Sequence, residues 1–249
     1  MIFQTIPGPI EDILKVFEYW DHILSGFIMN MWLYAFALTI GFILGLILAL
    51  VRQYGGRVFS KVSTGYIEVI RGTPLLVQLF LLYFLPFSLN WPIGSWRLVS
   101  TFSLFDKNIE IIFFDHITLI GIIALSLNSA AYQAEYFRGA IVSVGGGQVM
   151  AAKSLGMSTI GSIRHVVLPQ ALRRVIPAWS NEAAYLPKYT TVVYFIGVKD
   201  LFREAHYIVS ITFRSLATYV IVAIVFLITI SIISKALDIV YSRTRIPGL

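Results

Sequence analysis

Apolar residues along this chain gather in long blocks separated by short polar stretches. A helix that crosses a bilayer needs about 20 mostly apolar residues. Five blocks meet or approach that length, at residues 23–51, 66–89, 111–134, 175–198 and 215–241. The first is interrupted only by Asn30 and carries Gly41 and Gly45, a spacing that lets helices approach closely. The second runs on from the Gly72-Thr73-Pro74 step, and the third tolerates Asp115 and His116 near its start. The fourth is far more polar and holds Pro177 and Pro187, whereas the fifth is apolar throughout. Hydrocarbon offers no water to the backbone, so each span must be helical. The predicted fold class is all-α, a polytopic transmembrane bundle of five spans in one domain covering residues 1–249.

The basic residues alternate between successive connections. Arg52, Arg57, Lys61 and Arg71 lie between spans one and two, and Arg138, Lys153, Arg164, Arg173 and Arg174 between spans three and four. Arg243 and Arg245 follow span five. The other connections balance their bases with acids, as Arg97 and Lys107 do with Asp106 and Glu110. Cytoplasmic loops collect Lys and Arg, which predicts a multi-pass protein of the cytoplasmic (inner) membrane with its N-terminus outside and C-terminus inside. The acidic start (Glu11, Asp12, Glu18) lacks the basic region of a signal peptide. Trp91 and Trp96 fit an interfacial belt, and Tyr194 and Phe195 read as lipid-facing or packing residues.

Composition agrees. The chain is 57% hydrophobic and 13% charged, too apolar for a soluble domain of 249 residues. It has no cysteine, which removes disulfides, thiolate metal sites and thiol nucleophiles. The net charge of +6 follows the loop alternation and is no nucleic-acid footprint.

The connection 138–171 is too long for a simple helix hairpin. Gln148 to Leu155 is good helix material, Gly156 a stop, and Ser158 or Thr159 a cap for a further helix reaching Leu168-Pro169. Gly145 to Gly147 give the backbone freedom before the first helix. Ala151 and Ala152 permit close approach, while Met150 and Leu155 offer apolar knobs. Such a helix suits a partner's groove or the lipid headgroup layer.

The stretch Gly147-Gln148-Val149-Met150-Ala151-Ala152-Lys153-Ser154-Leu155-Gly156, followed by Val167-Leu168-Pro169-Gln170-Ala171, resembles the EAA loop of ABC importer permeases. Arg71-Gly72-Thr73-Pro74-Leu75-Leu76-Val77-Gln78, Ala131-Tyr132-Gln133-Ala134-Glu135 through Arg138-Gly139, and Asn181 with Lys188-Tyr189-Thr190-Thr191 are similar to motifs of the polar amino acid branch. The resemblance spans roughly residues 67–201. It implies a permease subunit coupled by Gly147, Gln148, Met150, Ala151, Ala152, Leu155 and Gly156 to ATP-binding subunits. It also implies a second permease subunit, identical or related, and an external solute-binding protein, all in a lipid membrane. Met150 replaces the loop's usual glutamate, and Tyr189 the acidic residue that follows the lysine.

Charged groups in a span usually face a cavity or a partner. Asn181, Glu182, Lys188, Thr190 and Thr191 are the candidate substrate path, with Glu182 suited to an ammonium and Lys188 to a carboxylate. Glu182 and Lys188, six residues apart, do not share a face of a regular helix. Glu182 also has a plainer role open to it, as a partner of Lys188 or of another helix. Glu135 and Arg138 are spaced for a supporting i, i+3 pair. No P-loop, H-E-x-x-H or G-x-S-x-G motif occurs, and the four histidines are scattered. The expectation is a non-enzyme with no cofactor and no metal. An ion-driven secondary transporter would show two repeated halves with broken helices, which the chain lacks. A non-transporting scaffold would not need the polar fourth span.

Overall fold

The computed structural model describes residues 8–90 and 96–244; Trp91 and Arg245 lie outside them. Most described residues are helical. Helix α1 (Pro9–Phe17) leads into α2 (Trp20–Tyr54), and α3 (Arg57–Gly72) and α4 (Leu75–Ser88) follow. A hairpin of β1 (Arg97–Leu104) and β2 (Lys107–Asp115) precedes α5 (His116–Val144). Then come α6 (Gly146–Ser154), α7 (Thr159–Ser162), a π-helical turn (Ile163–Val167), α8 (Leu168–Arg174) and α9 (Ile176–Tyr189). A 3-10 segment (Thr190–Ile196), α10 (Leu201–Thr212) and α11 (Ser215–Thr244) complete the described chain.

Helices α2, α5 and α11 are each long and apolar enough to cross a membrane. The expected second span is not one helix from residue 66. It is the pair α3 and α4, bent by 107°. Pro74 is the reason: it pushes the residue before it out of the helical region, and Thr73 is extended at φ −119°, ψ 145°. Four spans qualify if that pair counts as one. The expected fourth span is divided into α9 and the 3-10 segment.

The third span also starts later than expected. Residues 111–115 belong to β2, because 107–115 carries the two-residue alternation of a strand, with Ile109 and Ile111 buried and Asn108 and Glu110 exposed. Its register runs Phe102↔Ile109 and Leu104↔Lys107, closed by Phe105-Asp106, both at positive φ. Asp115, near the start of the expected third span, is buried. Its Oδ1 accepts the Thr118 N–H at 2.7 Å and so caps α5.

The chain divides into two compact units, each built from separate stretches. One comprises 1–35, 79–124 and 187–230. Within it, Asn30 is fully buried: its Nδ2 donates to Thr190 Oγ1 and its Oδ1 accepts the Leu201 N–H, both at 2.7 Å. Gly26 meets the Leu201 backbone so closely that a Cβ would lie 2.6 Å from Leu201 Cα. Lys107 pairs with Asp21 at 2.6 Å, tying the hairpin to α2.

The other unit comprises 36–78, 125–186 and 231–249. Its core joins Ala49, Phe137, Ile141, Val167, Ala171 and Val175, with Phe42 and Trp179 packed against them. Gly41 and Gly45 let α2 lie directly on α5. A Cβ at Gly45 would sit 2.9 Å from both the Ala130 carbonyl oxygen and Gln133 Cβ.

Candidate functional site

The connection after α5 folds as residue type dictates. Gly145, at φ +84°, turns the chain out of α5. Helix α6 ends on Gly156, also at φ +84°, with Gly156 N–H on the Lys153 carbonyl at 2.9 Å and Met157 N–H on that of Ala152 at 3.1 Å. Ser158 Oγ accepts the Gly161 N–H at 3.1 Å and caps the next helix. That helix widens to a π turn just before Pro169, whose ring and missing N–H disrupt the regular i−4 bonding.

Helix α6 has two faces. Ala152 is 5% exposed and packs into its own chain, with Val149 half-buried beside it. Gly147, Gln148, Met150, Ala151, Leu155 and Gly156 are exposed, Met150 at 67% and Leu155 at 85%. Ile160 on α7 extends this apolar surface at 77%. The two adjacent alanines thus separate: Ala151 faces outward and Ala152 inward.

The segment is rooted in α5 and α2. Glu135 accepts from Arg138 at 2.9 Å, the pair expected from spacing, and also from Arg52, 83 residues away, which spacing could not reveal. Arg52 lies 3.7 Å from Glu68 on α3. The Arg71 guanidinium sits over the Tyr132 ring at 5.3 Å. Arg174 donates to the Ser143 carbonyl, joining α8 back to α5.

The polar fourth-span residues sort by exposure. Asn181 and Lys188 are exposed, as are Tyr185 and Tyr189. The spacing 181, 185, 188, 189 marks one face of a helix. Glu182, at the edge of that face, is turned into the protein, 6% exposed, and accepts the Ser129 hydroxyl at 2.7 Å. Behind Ser129 the bonds continue: Gln133 Nε2 donates to Ser129 Oγ at 3.0 Å, and Trp179 Nε1 donates to Gln133 Oε1 at 2.7 Å. Thr190 is buried, taking the Asn30 amide and donating to the Pro187 carbonyl at 2.7 Å. Thr191 donates to the Lys188 carbonyl at 2.8 Å. Pro187 near the end of α9 offers no N–H, and the helix tightens to 3-10 just beyond it.

Gln78 completes the Arg71–Gln78 motif. Its Nε2 donates to the carbonyls of Ile70 at 2.7 Å and Thr73 at 3.0 Å, which the bend leaves without helical partners. Its Oε1 accepts from Asn128 of α5 at 3.0 Å. Asn30, Gln78, Ser129 and Gln133 were not singled out from sequence as bonding groups. The available signal was a lone amide or hydroxyl inside an apolar block. Among the described residues no group of three or more His, Cys, Asp or Glu could hold a metal ion.

Residues 41–245 match the family of binding-protein-dependent transport system inner membrane components. The chain belongs to this family. The glutamine transport system permease protein of Escherichia coli K12 is 33% identical over 225 residues, covering 90% of this chain and 93% of the relative. The nopaline transport system permease protein of Agrobacterium fabrum is 31% identical over 224 residues, covering 90% and 88%. The crystal structure of an amino acid ABC transporter with histidines superposes with a TM-score of 0.78 at 35% identity, covering 93% of this chain and 98% of that one. Membership makes the chain an inner-membrane component of a transport system, consistent with its three long apolar helices.

Proposed function

We propose that this chain is the membrane-spanning subunit of an ATP-driven importer for a polar amino acid, moved by a separate ATP-binding subunit that docks on α6. One observation supports the docking above the others: a short helix exposes Met150, Ala151 and Leu155 while its opposite face is packed into the core that holds α5. Burying a leucine side chain contributes about 1.5–3 kcal/mol, so a partner's groove gains from covering this face. The amino acid class is supported by the relatives and by the solved transporter, whose names refer to amino acids or their derivatives.

In this reading the chain hydrolyses nothing itself. Closure of two ATP-binding subunits carries α6, and the Arg52–Glu135–Arg138 network passes the displacement to α2 and α5. ATP shifts the balance between two conformations by binding one of them better. The exposed face of α9, with Asn181 and Lys188, lines the path, and Thr191 fixes the backbone at Lys188. Glu182 and Thr190 brace that helix from behind. A second permease copy, identical or related, covers the polar face. Five crossings, with α3–α4 as the second and α9 with its 3-10 extension as the fourth, put α6 inside the cell and the hairpin outside, where a solute-binding protein delivers substrate.

Leu155→Asp tests the docking. Because Leu155 is 85% exposed, the variant should fold and keep its thermal stability. In proteoliposomes with the ATP-binding and loaded solute-binding proteins it should lose at least tenfold in stimulated ATPase activity. Full stimulation would remove α6 as the docking element.

A further inference from the structure

Two adjoining cavities lie in the unit that carries the hairpin, and transport through α9 uses neither. The larger, of about 350 Å³, is lined by Arg97, Lys199, Arg203, Glu110, Asp115 and Ser25 among others. The smaller, of about 230 Å³, is lined by Asp21, His22, Asn108 and Glu204, and shares Ser25, Glu110 and Lys199 with the first. Ser25 and the Lys199–Glu110 pair therefore form the partition between them.

The acids of these cavities are mostly spoken for. Asp21 holds Lys107 and Glu204 holds His22, each at 2.6 Å. Asp115 caps α5. The bases are not. Among the described residues the Arg97 guanidinium has no ion-pair or hydrogen-bond partner, although the Arg97 backbone pairs with Asp115 across the hairpin. Arg203 gives one guanidinium N–H to the Gly197 carbonyl at 2.9 Å and keeps the rest of its fork. Lys199 is 3.9 Å from Glu110, beyond hydrogen-bond reach. Unmet demand in the larger cavity is thus for an anion, and a carboxylate matches two arginine forks. Glu110 stands beside it with no closer cation.

We propose that the larger cavity is an entry subsite for a zwitterionic amino acid, whose carboxylate binds Arg97 and Arg203 and whose ammonium binds Glu110. This rests on the amino acid reading above and adds to it a station ahead of the membrane path. The volume lies at the small end of ligand pockets, about 300–1,000 Å³, which suits a single amino acid.

The chain has no cysteine, so Ser25→Cys gives a single reporter thiol in the partition. Ile112→Cys, which lines the larger cavity alone, is a second position should the first misfold. The permease in lipid nanodiscs, without its binding protein, is treated with a charged methanethiosulfonate reagent. Glutamine, histidine, arginine and glutamate are each added at millimolar concentration. The amino acid that stimulates ATPase activity of the full complex should slow labelling at least fivefold. The matching amine, which lacks the carboxylate, should not. Arg97→Gln with Arg203→Gln should abolish protection, and Arg97→Lys alone should keep part of it. Labelling that the stimulating amino acid leaves unchanged, or that the amine slows equally, overturns the subsite while leaving the transport reading intact. Failure of every amino acid to stimulate the complex would instead overturn the transport reading.

Discussion

Gln78 supplies the backbone partners that Thr73 and Pro74 take away at the bend between α3 and α4. Carbonyls freed by a bend need new partners, and one side-chain amide reaches two of them while its oxygen binds Asn128. Gln78→Leu leaves those acceptors empty at about 1–3 kcal/mol. The variant should melt several degrees lower in nanodiscs, whereas Asn128→Ala, which spares the carbonyls, should fall by less. Asn30 is a second such residue, bridging Thr190 and the Leu201 N–H. From sequence it was only an interruption of an apolar block, because its partners lie 160 and 171 residues away. Asn30→Leu should destabilise by a similar amount, measured by thermal unfolding.

At the scale of elements, long apolar helices were the legible part. The expected 23–51 and 215–241 lie inside α2 and α11, since apolar length alone defines them. The caps between α6 and α7 were equally readable, because Gly156 and Ser158 act through local chemistry. The hairpin was not. Its strand from Lys107 to Asp115 abuts α5 with only the Asp115-His116 pair between two apolar runs, so 111–134 looked like one continuous span. The bend between α3 and α4 was half legible: Pro74 was visible, but its size was not, nor was the bonding of Gln78 to the carbonyls of Ile70 and Thr73. The spacing of Gly41 and Gly45 told of a close approach but not of its partner; Ser129, Ala130 and Gln133 of α5 lie against them. Gly45→Leu should force the helices apart at about 1–3 kcal/mol and reduce folded yield. Gly139, with open space around its Cβ position, should accept alanine without loss.

Across the whole molecule, the proposed function assigns pulling to one surface and conducting to another. Both expectations come from the order of motifs along the chain. Which side chains face outward did not appear in it, since exposure is decided by packing between distant helices. Glu182 shows the difference: six residues from Lys188, it is buried against Ser129. Glu182→Gln keeps a group able to accept that hydroxyl and should leave the apparent substrate affinity for transport unchanged. Lys188→Met, on the exposed face, should weaken it at least tenfold in uptake assays on proteoliposomes.

The most direct measurement places a thiol on the proposed docking face. Leu155→Cys is the chain's sole cysteine, and a short bifunctional reagent applied to the purified complex should join it to the ATP-binding subunit. ATP with a trapped transition state should change the yield. A thiol that cross-links to no ATP-binding subunit, or that an impermeant reagent reaches from outside intact cells, would contradict the coupling of α6 to an ATP-driven partner.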